Sequence, residues 1–200
     1  TLMGWPYNKN DWPGKFSNIP KIFAKIISKI TMSQEVNLLI NNHKSKGIIK
    51  KLLRKNNARM RNIKFIICET DRVWMRDTGP IFIKDKKNQN ILLNWEFNGW
   101  AKYKNYKTDN RVNSRIKDHY KGNVINPEFN KKSIVLEGGA IDVNGKGLLL
   151  TTKECLLSKI QQRNSFLKIK DYNHIFKKFF GAKKVISVSY THLTLPTTDR

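Results

Sequence analysis

The sequence reads WMRDTGP at residues 74–80 and LEGGA at residues 136–140, and these two stretches carry most of its information. Each sets one carboxylate, Asp77 or Glu137, against a glycine-containing turn at the end of an apolar strand. A planar guanidinium presents a fixed fork of N–H donors that carboxylate oxygens bind in pairs. Two carboxylates in one cleft therefore predict a site for a guanidinium cation.

Together the two stretches resemble the signature of the agmatine deiminases, which group with the bacterial-type peptidylarginine deiminases in the guanidine-modifying superfamily. Three further segments resemble that family in the expected order: the Trp-Pro pairs at 5–6 and 12–13, WEFNGW at 95–100 and LLLTTKECLL at 148–157. Several motifs in one order are far more specific than a single short motif. The resemblance runs from about residue 5 to residue 186.

The spacing of apolar residues predicts an α/β chain. Strands are predicted at 35–40, 63–68, 81–83, 91–93, 134–136, 141–143 and 148–150, and helices around 20–30, 48–53, 111–120 and 175–180. Thr151 and Glu154 have the spacing of a capping box at the start of a further helix. By resemblance, the fold is a partial α/β-propeller of the pentein type, built from ββαβ modules, about half of the five-module domain.

The resemblance also sets the expected domain boundaries. Residues 1–186 are predicted to be the N-terminal part of a deiminase catalytic domain. Residues 187–200 resemble a translated sequencing adapter, and they are predicted to be a non-native tail. The family places its catalytic histidine just beyond residue 186 and its nucleophilic cysteine far downstream, so we expect this chain to be inactive alone. His192 lies in the predicted tail and is assigned no role.

Roles for individual residues follow from the resemblance. Two catalytic residues, Asp77 and Glu137, would hold the guanidinium, and Glu137 would also orient the histidine. The predicted substrate-binding residues are Trp74, Arg76, Trp100 and Gly138. In the family mechanism a cysteine thiolate attacks the guanidinium carbon, ammonia departs, and water hydrolyses the Cys-thiouronium intermediate. This chemistry implies no metal and no organic cofactor.

Each assignment has a structural alternative. Asp77 could simply cap a turn, Arg76 could be an ordinary surface arginine, and Glu137 could end a strand in solvent. Tryptophans are more often core residues than ligand contacts. Cys68 and Cys155 are predicted to be small buried hydrophobes rather than nucleophiles.

The charge balance raises a different class of function. Lys and Arg total 39 against 15 Asp and Glu, which gives a formal net charge of +24. The lysines are spread over the whole chain among Ile, Leu and Phe, and no nucleic-acid-binding motif is present, so no specific nucleic-acid partner is predicted. Neither a membrane span nor a disulfide framework is predicted, and the expected location is the cytoplasm.

The sequence thus predicts a hydrolase fragment of putrescine biosynthesis. Its parent would convert agmatine, a small cationic guanidinium compound, to N-carbamoylputrescine and ammonia. A bacterial-type protein- or peptidyl-arginine deiminase is the first alternative, and a basic nucleic-acid-binding or non-catalytic remnant protein is the second. The resemblance also leaves a homo-oligomer open.

Overall fold

A computed structural model describes residues 1–120 and 122–188. The chain folds into two compact units. The first comprises Thr1–Gly79 and Asn105–Tyr120, and the second comprises Pro80–Lys104 and the described residues 122–188. Each unit combines helices with strands and contains its own cluster of buried apolar side chains, so each is an α/β structure.

The first unit alternates strands and helices around a parallel sheet. Its strands are β1 (Leu2–Gly4), β2 (Val36–Ile40) and β3 (Ile63–Ile67), and its helices are α1 (Ile19–Ile30), α2 (His43–Lys55), α3 (Met75–Thr78) and α4 (Val112–Ile116). The sheet order is β1-β2-β3, and both pairs are parallel. Parallel neighbours require a crossover connection, which α1 and α2 supply.

Helices α1 and α2 confirm the predictions made from apolar spacing. Pro20 lies in the first turn of α1, where its missing N–H costs nothing, and the Asn42 side chain caps α2 by accepting a hydrogen bond from the Ser45 N–H at 3.0 Å. The buried stripe of α1 is narrower than its run of isoleucines. Ile27 is fully buried, whereas Ile22 and Ile26 are exposed.

The second unit contains two three-stranded sheets of the same pattern. Its elements are β4 (Ile81–Lys84), β5 (Asn90–Leu93), β6 (Asn123–Ile125), β7 (Glu128–Phe129), β8 (Lys132–Ser133), β9 (Ile141–Val143), β10 (Leu148–Thr152), α5 (Lys153–Leu157), α6 (Ile169–Phe180) and β11 (Lys184–Val188). In each sheet an antiparallel hairpin, β4-β5 or β9-β10, is extended by a parallel strand, β6 or β11. The β9-β10-α5-α6-β11 segment therefore has the ββαβ form that the sequence predicted.

Helix α6 builds the core of the second unit. It buries Tyr172, Ile175 and Phe176, and it ends at Gly181, whose φ of 63° is the left-handed conformation that glycine adopts readily. Trp95 packs edge-on against Phe179 at 5.3 Å between ring centroids. Trp95 is therefore a core residue.

Two local predictions are wrong. Residues 134–136, predicted as a strand, make a single bridge among the described residues, between Val135 and Glu96. The helix-capping residue is Thr152 rather than Thr151: the Thr152 hydroxyl oxygen accepts from the Cys155 N–H at 3.3 Å. Alternation along β10 turns Thr151 inward, where its buried hydroxyl donates to the Ala140 carbonyl.

The chain near Asp77 also differs from its prediction. WMRDTGP does not end a strand, because β3 ends at Ile67 and Asp77 lies in the one-turn helix α3. The helix predicted over 111–120 is α4 with a 3₁₀ turn on either side. Strand β11 continues through Ser187 and Val188, the first two residues of the predicted non-native tail. The rest of that tail, with His192, lies outside the described residues, so the tail and the domain boundary at 186 stay predictions.

Candidate functional site

The glutamate of LEGGA lies at a tight turn in the second unit. Glu137 directly precedes the 3₁₀ turn Gly138–Ala140, and its carbonyl accepts from the Ala140 N–H at 3.0 Å. Glu137 is 1% exposed, and Gly138 is buried beside it. The alternative of a solvent-exposed strand-end glutamate is therefore wrong.

The Glu137 carboxylate binds a guanidinium within the same unit. Arg163 Nε donates to Glu137 Oε1 at 2.6 Å, and both side chains are almost completely buried. The other nitrogens of Arg163 donate to the Gln161 carbonyl and to Cys155 Sγ, the latter at 3.8 Å. A buried charge persists only when it is paired and hydrogen-bonded. The turn thus holds a buried carboxylate with an arginine as its cationic partner.

The residue after Arg163 fixes the backbone that leads to Glu137. The Asn164 side chain accepts from the Val135 N–H and donates to the Val135 carbonyl, both at 2.9 Å. It also donates to the Tyr172 hydroxyl at 3.0 Å, and burial raises the pKa of Tyr172. The amide of Asn164 therefore bonds to Val135 as a neighbouring strand would.

Trp100 lies in the second unit, on a turn connected to this arrangement. It has φ 59° and ψ 27°, a left-handed conformation that is rare for a large side chain. The Asn98 side chain accepts from the Ala101 N–H at 2.9 Å and donates to the Arg163 carbonyl at 3.3 Å. The Trp100 ring packs edge-on against Phe97. Backbone strain of this kind accumulates at functional sites, which keeps Trp100 a candidate for substrate contact.

The aspartate of WMRDTGP lies on the first unit. Asp77 is half-buried in α3, between the exposed Trp74 and the buried Thr78. Gly79 follows, and a Cβ at this position would lie 2.4 Å from the Met75 carbonyl oxygen, so only glycine fits. Trp74 is 45% exposed and lies 6.2 Å from the Trp12 ring. Aromatic faces attract guanidinium groups, so this pair offers a suitable surface near Asp77.

The segment before α3 is held by buried charged groups. The Arg72 guanidinium pairs with Asp11 and donates to the Asn105 side chain at 2.8 Å. The Asp109 carboxylate accepts from the N–H groups of Asp71 and Arg72, at 2.7 and 3.1 Å. Burial raises the pKa of Asp109 to about 7, and the nearby Asp71 carboxylate adds to the increase.

The six predicted site residues divide between the two units. Trp74, Arg76 and Asp77 belong to the first, and Trp100, Glu137 and Gly138 belong to the second. Arg76 is exposed to solvent. Among the described residues, no group of three or more His, Cys, Asp or Glu is placed to hold a metal ion. Over the same residues, no helix is both long enough and apolar enough to cross a bilayer.

Comparison with known proteins establishes the family. The model of the Porphyromonas-type peptidyl-arginine deiminase family matches residues 1–200. This chain belongs to that family. A relative from Mycoplasma capricolum named "Putative agmatine deiminase" is 28% identical over an alignment of 189 residues, and the alignment covers 92% of this chain and 48% of that protein.

Solved structures support the same family and the predicted fold. A cysteine variant of the C. jejuni agmatine deiminase with substrate bound has a TM-score of 0.77 and 27% identity, covering 94% of this chain and 52% of that chain. A structure described as a putative peptidyl-arginine deiminase has a TM-score of 0.79 and 30% identity, covering 94% and 53%. The partial α/β pentein-type fold is thus confirmed. The chain spans about half the length of the curated relatives it matches.

Sequence reasoning missed the charged groups that support the family motifs. Arg163 and Asn164 follow a polar stretch with no periodic pattern, and Asp109 lies in a polar segment typical of a turn. The partners of these residues lie 26 to 38 positions away in the chain. At these separations, no local sequence pattern indicates the contacts.

Proposed function

We propose that this chain is the N-terminal part of an agmatine deiminase, which hydrolyses agmatine to N-carbamoylputrescine and ammonia and so supplies putrescine biosynthesis. The observation that carries the proposal is the likeness to the substrate-bound C. jejuni agmatine deiminase over 94% of this chain. A second observation agrees with it. The Glu137 carboxylate holds a guanidinium, that of Arg163, and thus has the chemistry that the substrate requires.

Asp77 and Glu137 are the proposed catalytic residues of this part of the protein. Their carboxylates would hold the substrate guanidinium and fix its carbon for attack, which is catalysis by positioning. Trp74 would cover the cation with its exposed ring, and Trp100 and Gly138 would shape the space beside Glu137. Arg76 would hold the Asp77 segment in place. The nucleophilic cysteine and the histidine would come from the rest of the parent protein.

The cell compartment and the partners follow from the same proposal. Both cysteines are free thiols, as expected in a reducing compartment, and we propose the cytoplasm. Agmatine is the proposed partner, with no specific nucleic acid and no membrane. A direct measurement of mass in solution tests whether the protein forms a homo-oligomer.

The test is to read the gene from intact template past the codon for Ile186 and to assay the encoded protein for N-carbamoylputrescine and ammonia. We expect activity from that protein and none from the 200-residue chain. Asp77→Asn and Glu137→Gln should each lower kcat/KM by about 100-fold or more. The matched controls are Asp118→Asn and Glu128→Gln, whose side chains are exposed, and they should retain activity. Unchanged activity of both site variants would refute the assignment.

A peptidyl-arginine deiminase is the second candidate, because the matching family model carries that description. The two substrates share the guanidinium and differ in what surrounds it. A parallel assay with agmatine and with a blocked arginine peptide separates them. If kcat/KM is higher for the peptide than for agmatine, peptidyl-arginine becomes the proposed substrate in place of agmatine.

A basic binding protein is the candidate of another class, favoured only by the net charge of +24. Non-specific attraction to nucleic acid falls steeply with salt. Sequence-dependent affinity at physiological salt, together with no deiminase activity from the complete gene product, would favour this function.

A further inference from the structure

Arg163 is anchored independently of Glu137. Its guanidinium donates to the Gln161 carbonyl and to Cys155 Sγ, and its backbone N–H donates to the Cys155 carbonyl at 3.1 Å. Its own carbonyl accepts from Asn98. These contacts, which do not involve Glu137, hold Arg163 in place while its Nε donates to the Glu137 carboxylate.

The 163–164 segment contacts the chain around LEGGA in two ways, through the Arg163 guanidinium and through the Asn164 amide. Arg163 binds the Glu137 side chain, while Asn164 binds both backbone polar groups of Val135, two residues earlier. These contacts act on different parts of LEGGA. The amide fixes where the chain enters the turn, and the guanidinium fixes where the carboxylate points.

A carboxylate in this setting has limited freedom. Burial disfavours its ionised form, whereas a hydrogen-bonded guanidinium favours it. Since Oε1 is bound to Nε at 2.6 Å, rotation of the Glu137 carboxyl group breaks a charge-assisted hydrogen bond. Without Arg163, Glu137 would lose the cation that favours its ionised form and the hydrogen bond that holds its Oε1 in place.

We propose that Arg163 is the positioning residue of Glu137: it keeps the carboxylate ionised and aimed so that Glu137 can hold a guanidinium substrate. Only the last clause rests on the proposed deiminase function. The charge and orientation of Glu137 are properties of the 200-residue chain itself, and they can be measured without activity.

The first experiment follows the Glu137 side-chain carboxyl carbon by NMR through a pH titration of the 200-residue chain, assigned with Glu137→Gln. In Arg163→Gln we expect the midpoint to lie about 1 to 3 pH units higher than in the unchanged chain. Arg163→Lys, which keeps a cation but loses the planar fork, should fall between the two. A midpoint that stays the same in both variants would overturn the proposal.

Loss of a cation from a buried pair can unfold a protein, so two further variants keep the experiment decisive. Asn164→Ala removes the amide contacts but leaves Arg163, and its Glu137 midpoint should stay that of the unchanged chain. If Arg163→Gln does not fold, Arg163→Lys alone decides: a raised midpoint supports the proposal and an unchanged one overturns it. Glu137→Gln with Arg163→Gln replaces the pair by two amides and should fold better than Arg163→Gln alone.

The second experiment uses the complete gene product of the deiminase assay. There Arg163→Lys should lower kcat at least 10-fold, and an increase in pH should partly restore it as Glu137 ionises. Normal kinetics in Arg163→Lys would overturn the positioning role while leaving the deiminase function standing. Absence of deiminase activity in the unchanged protein would defeat the proposed function, and the NMR result would still decide whether Arg163 sets the charge of Glu137.

Discussion

Each unit carries a family motif with a carboxylate and, among the described residues, a buried arginine–carboxylate pair, but motif and pair are combined differently. In the second unit the pair contains the predicted catalytic residue itself, because Arg163 binds Glu137. In the first unit the pair is Arg72 with Asp11, and the predicted catalytic Asp77 lies five residues further along on α3, half-buried. The arginine thus binds the predicted catalytic carboxylate in the second unit, and in the first unit it binds the segment that precedes the predicted catalytic residue.

The two carboxylates are therefore positioned in different ways. Glu137 has its charge and direction set by the protein before any ligand arrives. Asp77 is placed by the backbone around it, between the bulky Trp74 and a glycine that cannot be replaced. Substitutions in matched pairs test this difference between the two carboxylates.

Removal of the arginines should give the largest effect. Arg163→Ala and Arg72→Ala each remove the arginine partner of a buried carboxylate, which costs about 3–5 kcal/mol. Hydrogen exchange should show lost protection in β9 and β10 for Arg163→Ala, and in β1 to β3 for Arg72→Ala. Asp77→Ala should cost less than about 1 kcal/mol. A loss for Asp77→Ala as large as that for Arg163→Ala would end the distinction between the two carboxylates.

Gly79→Ala should come next. The new Cβ would lie 2.4 Å from the Met75 carbonyl oxygen, so the turn after α3 must open, at a cost of about 2–3 kcal/mol. Gly47→Ala is the matched control, since it lies within α2 with open space around it and should stabilise by up to about 1 kcal/mol. Urea unfolding measures both changes. Equal stabilities for the two variants would show that the turn adapts to a side chain.

The pH dependence of stability should reveal Asp109. Its pKa is raised from 3.8 to about 7, so the folded protein keeps a proton that the unfolded chain releases above about pH 4. The contribution of Asp109 to stability therefore falls as pH rises from about 4 to about 7, and it is level above that. Between pH 5 and pH 7, the free energy of unfolding of Asp109→Asn should fall by about 2 kcal/mol less than that of the unchanged chain. Parallel profiles for the two chains, measured by urea unfolding across this range, would contradict the buried-acid assignment.

Asn98→Ala should have a smaller effect than the changes at Arg163, Arg72 and Gly79. This change removes one bond to the Ala101 N–H and one to the Arg163 carbonyl, and it should cost about 1–2 kcal/mol. Because Trp100 has a positive φ, loss of the Asn98 bonds should also free its ring. The emission of Trp100 is the difference between the spectra recorded with and without Trp100→Phe. An emission spectrum of Trp100 that is identical with and without Asn98 would argue against a held ring.

The parts of the fold predicted correctly are those that local spacing determines. Helices α1, α2 and α6 and strands β4 and β5 all follow from apolar periodicity within a few positions. The errors arose where a neighbour decides. Thr151 and Thr152 are chemically alike, and only the inward face of β10 determines which of them caps α5.

The site itself was predictable only through the motifs. Spacing and resemblance pointed to Asp77 and Glu137, whose functional roles remain predictions. Nothing local indicated that Arg163 would bind Glu137, or that Asp109 would bind the backbone before α3, since these partners are 26 and 37 positions apart. Such contacts depend on the packing of distant segments, and a single sequence carries no local pattern for them.

The link between Val135 and Asn164 also has a consequence for synthesis on the ribosome. A nascent chain that has emerged only as far as α5 contains the whole LEGGA motif, but neither the arginine nor the amide that completes it. In such an intermediate the Glu137 carboxylate lacks its Arg163 partner. Arg163 follows Glu137 by 26 residues, so the buried pair can form only after the 163–164 segment has been added to the chain.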